Sequence, residues 1–73
     1  MTGDQQYLID LAKMKMPFGK DKGRFLIDLP EHYIVWYKTK GFPNGKLGKQ
    51  MALVYELQLN GLEEMIRELR KRY

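Results

Sequence analysis

The sequence predicts a small α+β fold: a short N-terminal helix, a small β-hairpin, and then three helices packed around one aromatic-rich core. Apolar residues recur at helical spacing in four segments, and an alternating stretch surrounds a glycine-flanked loop. The 73 residues are 44% hydrophobic and 12% aromatic, which is typical of a globular chain. This length predicts a single domain over residues 1–73.

The first helix is predicted over residues 4–13, with Asp4 as its N-cap and Tyr7, Leu8 and Leu11 at helical spacing. Residues 14–29 then predict the hairpin. Apolar residues alternate with Lys15 and Pro17 before the loop at 19–23, and an apolar run follows it. A hairpin this short must pack against helices to be stable.

Three further helices are predicted from about residue 30 to 40, 46 to 59 and 62 to 73. Pro30 suits the first helical position, with Asp28 available to help cap that helix. Gly41 and the Asn60-Gly61 pair are typical helix ends. The helix over 46–59 is apolar around much of its circumference, so we expect it to be the central one.

Composition excludes several classes of protein. The absence of cysteine excludes disulfide scaffolds and thiolate metal sites, and it favours a cytoplasmic location. No signal peptide or membrane-length apolar run is recognisable, so no membrane association is expected. His32 is the only histidine, serine is absent, and the adjacent Glu63 and Glu64 are explained by the helix dipole. We therefore predict no enzymatic activity, no metal and no cofactor.

The 13 lysines and arginines outnumber the nine acids, and all 13 lie within residues 13–24, 38–49 and 67–72. Such clusters favour an anionic partner, with nucleic acid the leading candidate, although a solvated basic surface explains them equally well. The glycines and lysines of loop 19–23 suit phosphate binding, but a tight hairpin that needs positive φ is the favoured interpretation. The basic start of the helix at 46 is likewise either an anion site or an ordinary turn.

The predicted anion-binding residues are cations of the hairpin, a second group at the start of the helix at 46, and one residue flanking each group. They are Lys20, Lys22, Arg24, Lys46, Lys49, Lys15 and Lys40. Trp36 is the predicted aromatic contact, since bases stack on such side chains beside cations. Helical spacing nevertheless favours a core position for Tyr33, Trp36 and Tyr37.

Several motifs together resemble a bacterial family described as "putative quorum-sensing-regulated virulence factor". They are Met16-Pro17-Phe18-Gly19-Lys20-Asp21-Lys22-Gly23, Leu29-Pro30-Glu31-His32-Tyr33 with Trp36, Gly41-Phe42-Pro43-Asn44-Gly45-Lys46-Leu47-Gly48, Tyr55-Glu56-Leu57 and Asn60-Gly61-Leu62. The first motif is also similar to a small C-terminal domain of some DEDD-type exonucleases. That resemblance implies a nucleic-acid-related accessory role for Lys20, Lys22 and Trp36. Asp21 departs from the pattern, which often has Tyr or His there, and it places an acid in the basic loop.

The sequence thus predicts a small, basic, non-catalytic module that binds nucleic acid or assists a nuclease. The alternative is a protein-interaction adaptor whose basic surface docks on an acidic partner, linked to quorum-sensing-regulated virulence. An enzyme acting on a small anionic substrate is the least favoured class, because nucleophile, base and metal cluster are all missing from the sequence.

Overall fold

The computed structural model describes the backbone of residues 2–73 and the side chains of residues 6–73. It contains the helices α1 (Thr2–Lys13), α2 (Glu31–Lys40), α3 (Gly45–Leu59) and α4 (Glu63–Arg72). A 3₁₀ turn, Leu26–Asp28, lies between α1 and α2. Asp4, the predicted N-cap, lies within α1, and its side chain is outside the described residues.

The prediction of an α+β fold with a β-hairpin is wrong, because residues 2–73 form helices and turns without a sheet. Lys15 and Phe25 make an isolated antiparallel bridge. Beyond it, the N–H groups of Asp28 and Leu29 donate to the carbonyl oxygens of Phe25 and Leu26, at 3.0 and 3.1 Å. These local hydrogen bonds replace the ladder that a second strand would need.

Burial explains why the turn replaces the strand. Leu26 and Ile27 are consecutive residues, and both are almost fully buried. Successive side chains of a strand point to opposite faces, so a strand at the surface of this small molecule would expose one of them. The 3₁₀ turn places both side chains in the core.

The predicted aromatic-rich core is also wrong, because no aromatic side chain of residues 6–73 is buried and the buried hydrophobic residues are aliphatic or methionine. They are Leu11, Ala12, Met16, Leu26, Ile27, Leu29, Ile34, Met51, Val54, Leu57 and Ile66. Aromatic side chains form a half-buried layer around them: Phe25, Tyr33, Tyr37, Phe42 and Tyr55. Trp36 leaves the core altogether, with 52% of its surface exposed.

The Asp28 side chain connects the 3₁₀ turn to α4 and does not cap α2. Its carboxylate accepts hydrogen bonds from Arg67 Nε at 2.7 Å and from Arg70 Nη1 at 3.1 Å. The Arg70 guanidinium also lies 4.1 Å from the centroid of the Phe25 ring. Two of the cations of α4 are thereby committed to holding the fold together.

Candidate functional site

The loop between Met16 and Arg24 is closed by its own backbone. The N–H of Gly23 donates to the carbonyl oxygen of Met16 at 2.8 Å, and that of Lys22 to Gly19 at 3.2 Å. Gly19 and Gly23 have φ values of +79° and +87°, which side chains rarely permit, so the predicted positive φ of these glycines is confirmed although the hairpin is not. The side chains of Lys20 and Lys22 are exposed at the tip of this constrained loop.

The acid of the loop turns away from solvent. The Asp21 side chain is only 10% exposed, and its Oδ1 accepts a hydrogen bond from Arg24 Nη1 at 3.3 Å. Its Oδ2 is buried and has no hydrogen-bond partner among the described atoms. The carboxylate between Lys20 and Lys22 therefore does not lie on the surface that the two lysines share. It occupies Arg24, one of the predicted anion-binding residues, in an ion pair.

Helix α2 places an aromatic series beside the loop. A Cβ atom at Gly19 would lie 3.5 Å from the Tyr33 hydroxyl oxygen. The Tyr33 and Tyr37 rings meet edge to face at 5.2 Å, and Trp36 meets Tyr37 in the same way at 5.0 Å. These contacts connect the loop to the exposed ring of Trp36.

Burial, the neighbouring Tyr37 hydroxyl and the Asp21 carboxylate together raise the pKa of Tyr33 to about 12. Tyr33 is therefore neutral at physiological pH. Tyr33 therefore adds no negative charge to the surface beside the loop.

The other predicted cations lie on α2, at the start of α3 and beside Phe25. Lys40 follows Trp36 by four residues, so the two share a face of α2. Lys46 and Lys49 share a face at the start of α3. Lys15 points elsewhere: its Nζ lies 5.2 Å from the centroid of the Phe25 ring, which Arg70 of α4 also contacts.

The predicted cations differ in whether they form ion pairs. Among the side chains of residues 6–73, Arg24 is paired with Asp21, and the other ion pairs involve cations of α4. Six predicted cations make no ion pair with these described carboxylates: Lys15, Lys20, Lys22, Lys40, Lys46 and Lys49.

Phe18 is a site candidate that sequence reasoning missed. It lies in the loop with 44% of its surface exposed, but it is not among the predicted contact residues. Its position between Pro17 and Gly19 was the available signal, because both neighbours favour turns.

In the described part of the chain, no group of three or more potential metal ligands is placed to hold a metal ion. None of the helices described is both long and apolar enough to cross a membrane.

The described residues form a small helical fold with an exposed cationic loop and an exposed tryptophan, which two tyrosines connect. Residues 4–69 match the family described as "Putative quorum-sensing-regulated virulence factor", and the chain belongs to that family. It is 44% identical over 69 residues to "Uncharacterized protein YpeB" of Escherichia coli K12, covering 93% of this chain and 96% of that protein. The protein of the same name from Escherichia coli O157:H7 gives the same values.

No solved structure matches the chain. The resemblance to this family, inferred from the sequence motifs, is confirmed. The resemblance to domains that accompany exonucleases stays a prediction.

Proposed function

We propose that the chain is a non-catalytic module that binds nucleic acid, with a preference for single strands. The main support is the loop, where Lys20 and Lys22 are exposed and make no ion pair with the described carboxylates, while Asp21 turns inward. Two ammonium groups on a rigid loop suit contact with consecutive phosphates. Such contacts give affinity without sequence preference.

Trp36 supports the preference for single strands. Half of its surface is exposed, and its edge contact with Tyr37 limits the motion of the ring. Unpaired bases stack on exposed aromatic rings beside cations, whereas the bases of a duplex are already stacked on one another. The eight residues from Tyr33 beside the loop to Lys40 rise about 10 Å along α2, which suits a short stretch of strand.

Fluorescence anisotropy with a labelled oligothymidine of about 12 nucleotides and a matched duplex tests the proposal. We expect tighter binding to the single strand, with affinity falling steeply between about 50 and 200 mM salt. Lys20→Gln/Lys22→Gln should weaken binding and reduce the slope of log affinity against log salt by about 1.4. Trp36→Ala should weaken binding to the single strand more than binding to the duplex.

Lys71→Gln/Arg72→Gln is the matched control, because it removes the same charge from exposed positions on α4. If the control weakens binding as much as the loop variant, net charge alone explains the affinity and the proposed site is wrong. Absence of binding to either probe at low salt overturns the function itself. Circular dichroism spectra should confirm that each variant is folded.

A further inference from the structure

The corner where α3 meets α4, residues 56–66, exposes large apolar side chains. Leu59 is 58% exposed, Leu62 41% and Met65 45%. Single exposed apolar residues are ordinary at a protein surface, but a group within one short stretch indicates an interaction site. We call this stretch the α3–α4 corner.

The geometry of the turn explains why Leu62, one of these three residues, is apolar. The N–H of Leu62 donates to the carbonyl oxygen of Leu57 at 2.9 Å, and that of Gly61 donates to Gln58 at 3.2 Å. This pair of hydrogen bonds is a Schellman motif, in which a residue at the position of Leu62 commonly packs against one at the position of Leu57. The motif needs neither Leu59 nor Met65 to be apolar.

Charge distinguishes this corner from the rest of the molecule. Residues 50–66 contain Glu56, Glu63 and Glu64 but no lysine or arginine, in a chain with a formal net charge of +4. Among the described side chains, Glu64 has a weak ion pair with Arg67 at 3.8 Å, while Glu56 and Glu63 have none. Acidic side chains thus accompany Leu59 and Met65, an arrangement that repels nucleic acid and anionic lipid.

We propose that the α3–α4 corner is the docking surface for a protein segment that presents apolar side chains flanked by lysine or arginine. Leu59 and Met65 would receive the apolar side chains, and methionine adapts readily to different partners. Glu56 and Glu63 would pair with the flanking cations, which favours basic partners over acidic ones. Lys46, one of the predicted anion contacts, and Leu59 are separated by about 20 Å along α3, so the corner and the start of α3 are different parts of the surface.

The probe is a labelled amphipathic peptide of about 14 residues, with leucine at helical spacing and lysine elsewhere. A peptide with glutamate in place of lysine is its counterpart. We expect the leucine–lysine peptide to bind the whole chain and the glutamate peptide to fail. Leu59→Ser/Met65→Ser should weaken binding by about fivefold or more. Glu56→Gln/Glu63→Gln should weaken it and flatten its salt dependence.

Tyr7→Ser/Val35→Ser is the matched control, since both residues are exposed apolar positions outside the corner. NMR shift changes caused by the peptide should concentrate in residues 56–66. Equal loss of binding in the control, equal binding of the glutamate peptide, or unchanged binding by Leu59→Ser/Met65→Ser overturns the proposal. A wild-type dimer that Leu59→Ser/Met65→Ser dissociates, seen by sedimentation velocity without peptide binding, would overturn it in favour of self-association.

Discussion

Gly48 is required by a contact rather than by a backbone conformation. A Cβ atom at this position would overlap the carbonyl oxygen of Pro43 and would lie 2.8 Å from its carbonyl carbon. Both are backbone atoms of the turn before α3, so they cannot move aside as the end of a flexible side chain can. The contact seats the first turns of α3, which hold Lys46 and Lys49, against that turn.

We predict that Gly48→Ala lowers the free energy of unfolding by about 2 kcal/mol, the usual cost of overpacking. In a helix without this contact the same change would stabilise by about 1 kcal/mol, so the sign is diagnostic. Urea denaturation followed by circular dichroism measures it. The exposed neighbour provides the control, and Lys49→Ala should change stability little. A stabilised Gly48→Ala would show that α3 does not pack against Pro43.

The carboxylate of Asp28 makes stability depend on pH. Burial alone would raise its pKa, but hydrogen bonds from Arg67 and Arg70, together with their charges, hold the pKa below its ordinary value of 3.8. The folded state therefore binds this proton less readily than the unfolded state does. The stabilisation is present above the ordinary value and is lost as pH falls through the lower pKa of the folded state.

At neutral pH, Asp28→Asn should lower the free energy of unfolding by about 1–2 kcal/mol, because it removes a charged hydrogen-bond acceptor from two arginines. The difference from the wild type should shrink as pH falls below the ordinary carboxyl pKa and vanish in strong acid. Denaturation curves across that pH range measure it. A gap that stays constant into strong acid would contradict the role of the ion pairs.

At the scale of elements, helix ends were predictable because local chemistry sets them. Pro30 precedes α2, Gly41 follows it, and the Asn60-Gly61 pair follows α3, as the sequence indicated. Each signal acts within a few residues of the chain, through a fixed φ or a backbone hydrogen bond. Such signals are visible without knowledge of the tertiary structure.

The hairpin was not predictable in the same way, because tertiary burial decided it. Alternation before the loop and an apolar run after it suit strands, but the core required two consecutive residues, Leu26 and Ile27. Similarly, the pairing of Asp28 with Arg67 and Arg70 spans 39 and 42 residues of sequence. In a sequence alone, these arginines are indistinguishable from solvated cations near a helix C-terminus.

The candidate site was predicted only in part, because some of its features depend on tertiary packing. Exposure of the loop lysines follows from local turn chemistry, whereas the inward position of Asp21, which pairs with Arg24, depends on the packing around the loop. The exposure of Trp36 also depends on packing: α2 fully buries Ile34, so residues two positions further on face outward. Periodicity located the aromatic series but not the side of it that meets solvent.

At the scale of the whole molecule, charge is divided along α3. Lys46 and Lys49 lie at its start, whereas Glu56 and Leu59 lie near its end. The molecule measures 32 × 24 × 21 Å, so ends about 20 Å apart occupy different parts of its surface. A cationic surface and an acidic, apolar corner could then bind a nucleic acid and a basic protein segment at the same time.

This separation predicts that the two surfaces act independently, because substitutions far apart without shared partners have nearly additive effects. Leu59→Ser/Met65→Ser should change affinity for the oligothymidine by less than about twofold. Lys20→Gln/Lys22→Gln, which lowers the net charge of +4 by two, should leave peptide binding intact or slightly stronger. Anisotropy titrations of both variants with both probes measure the four values. If each variant weakens both interactions, the surfaces are coupled, and a molecule with two separate binding ends is the wrong description.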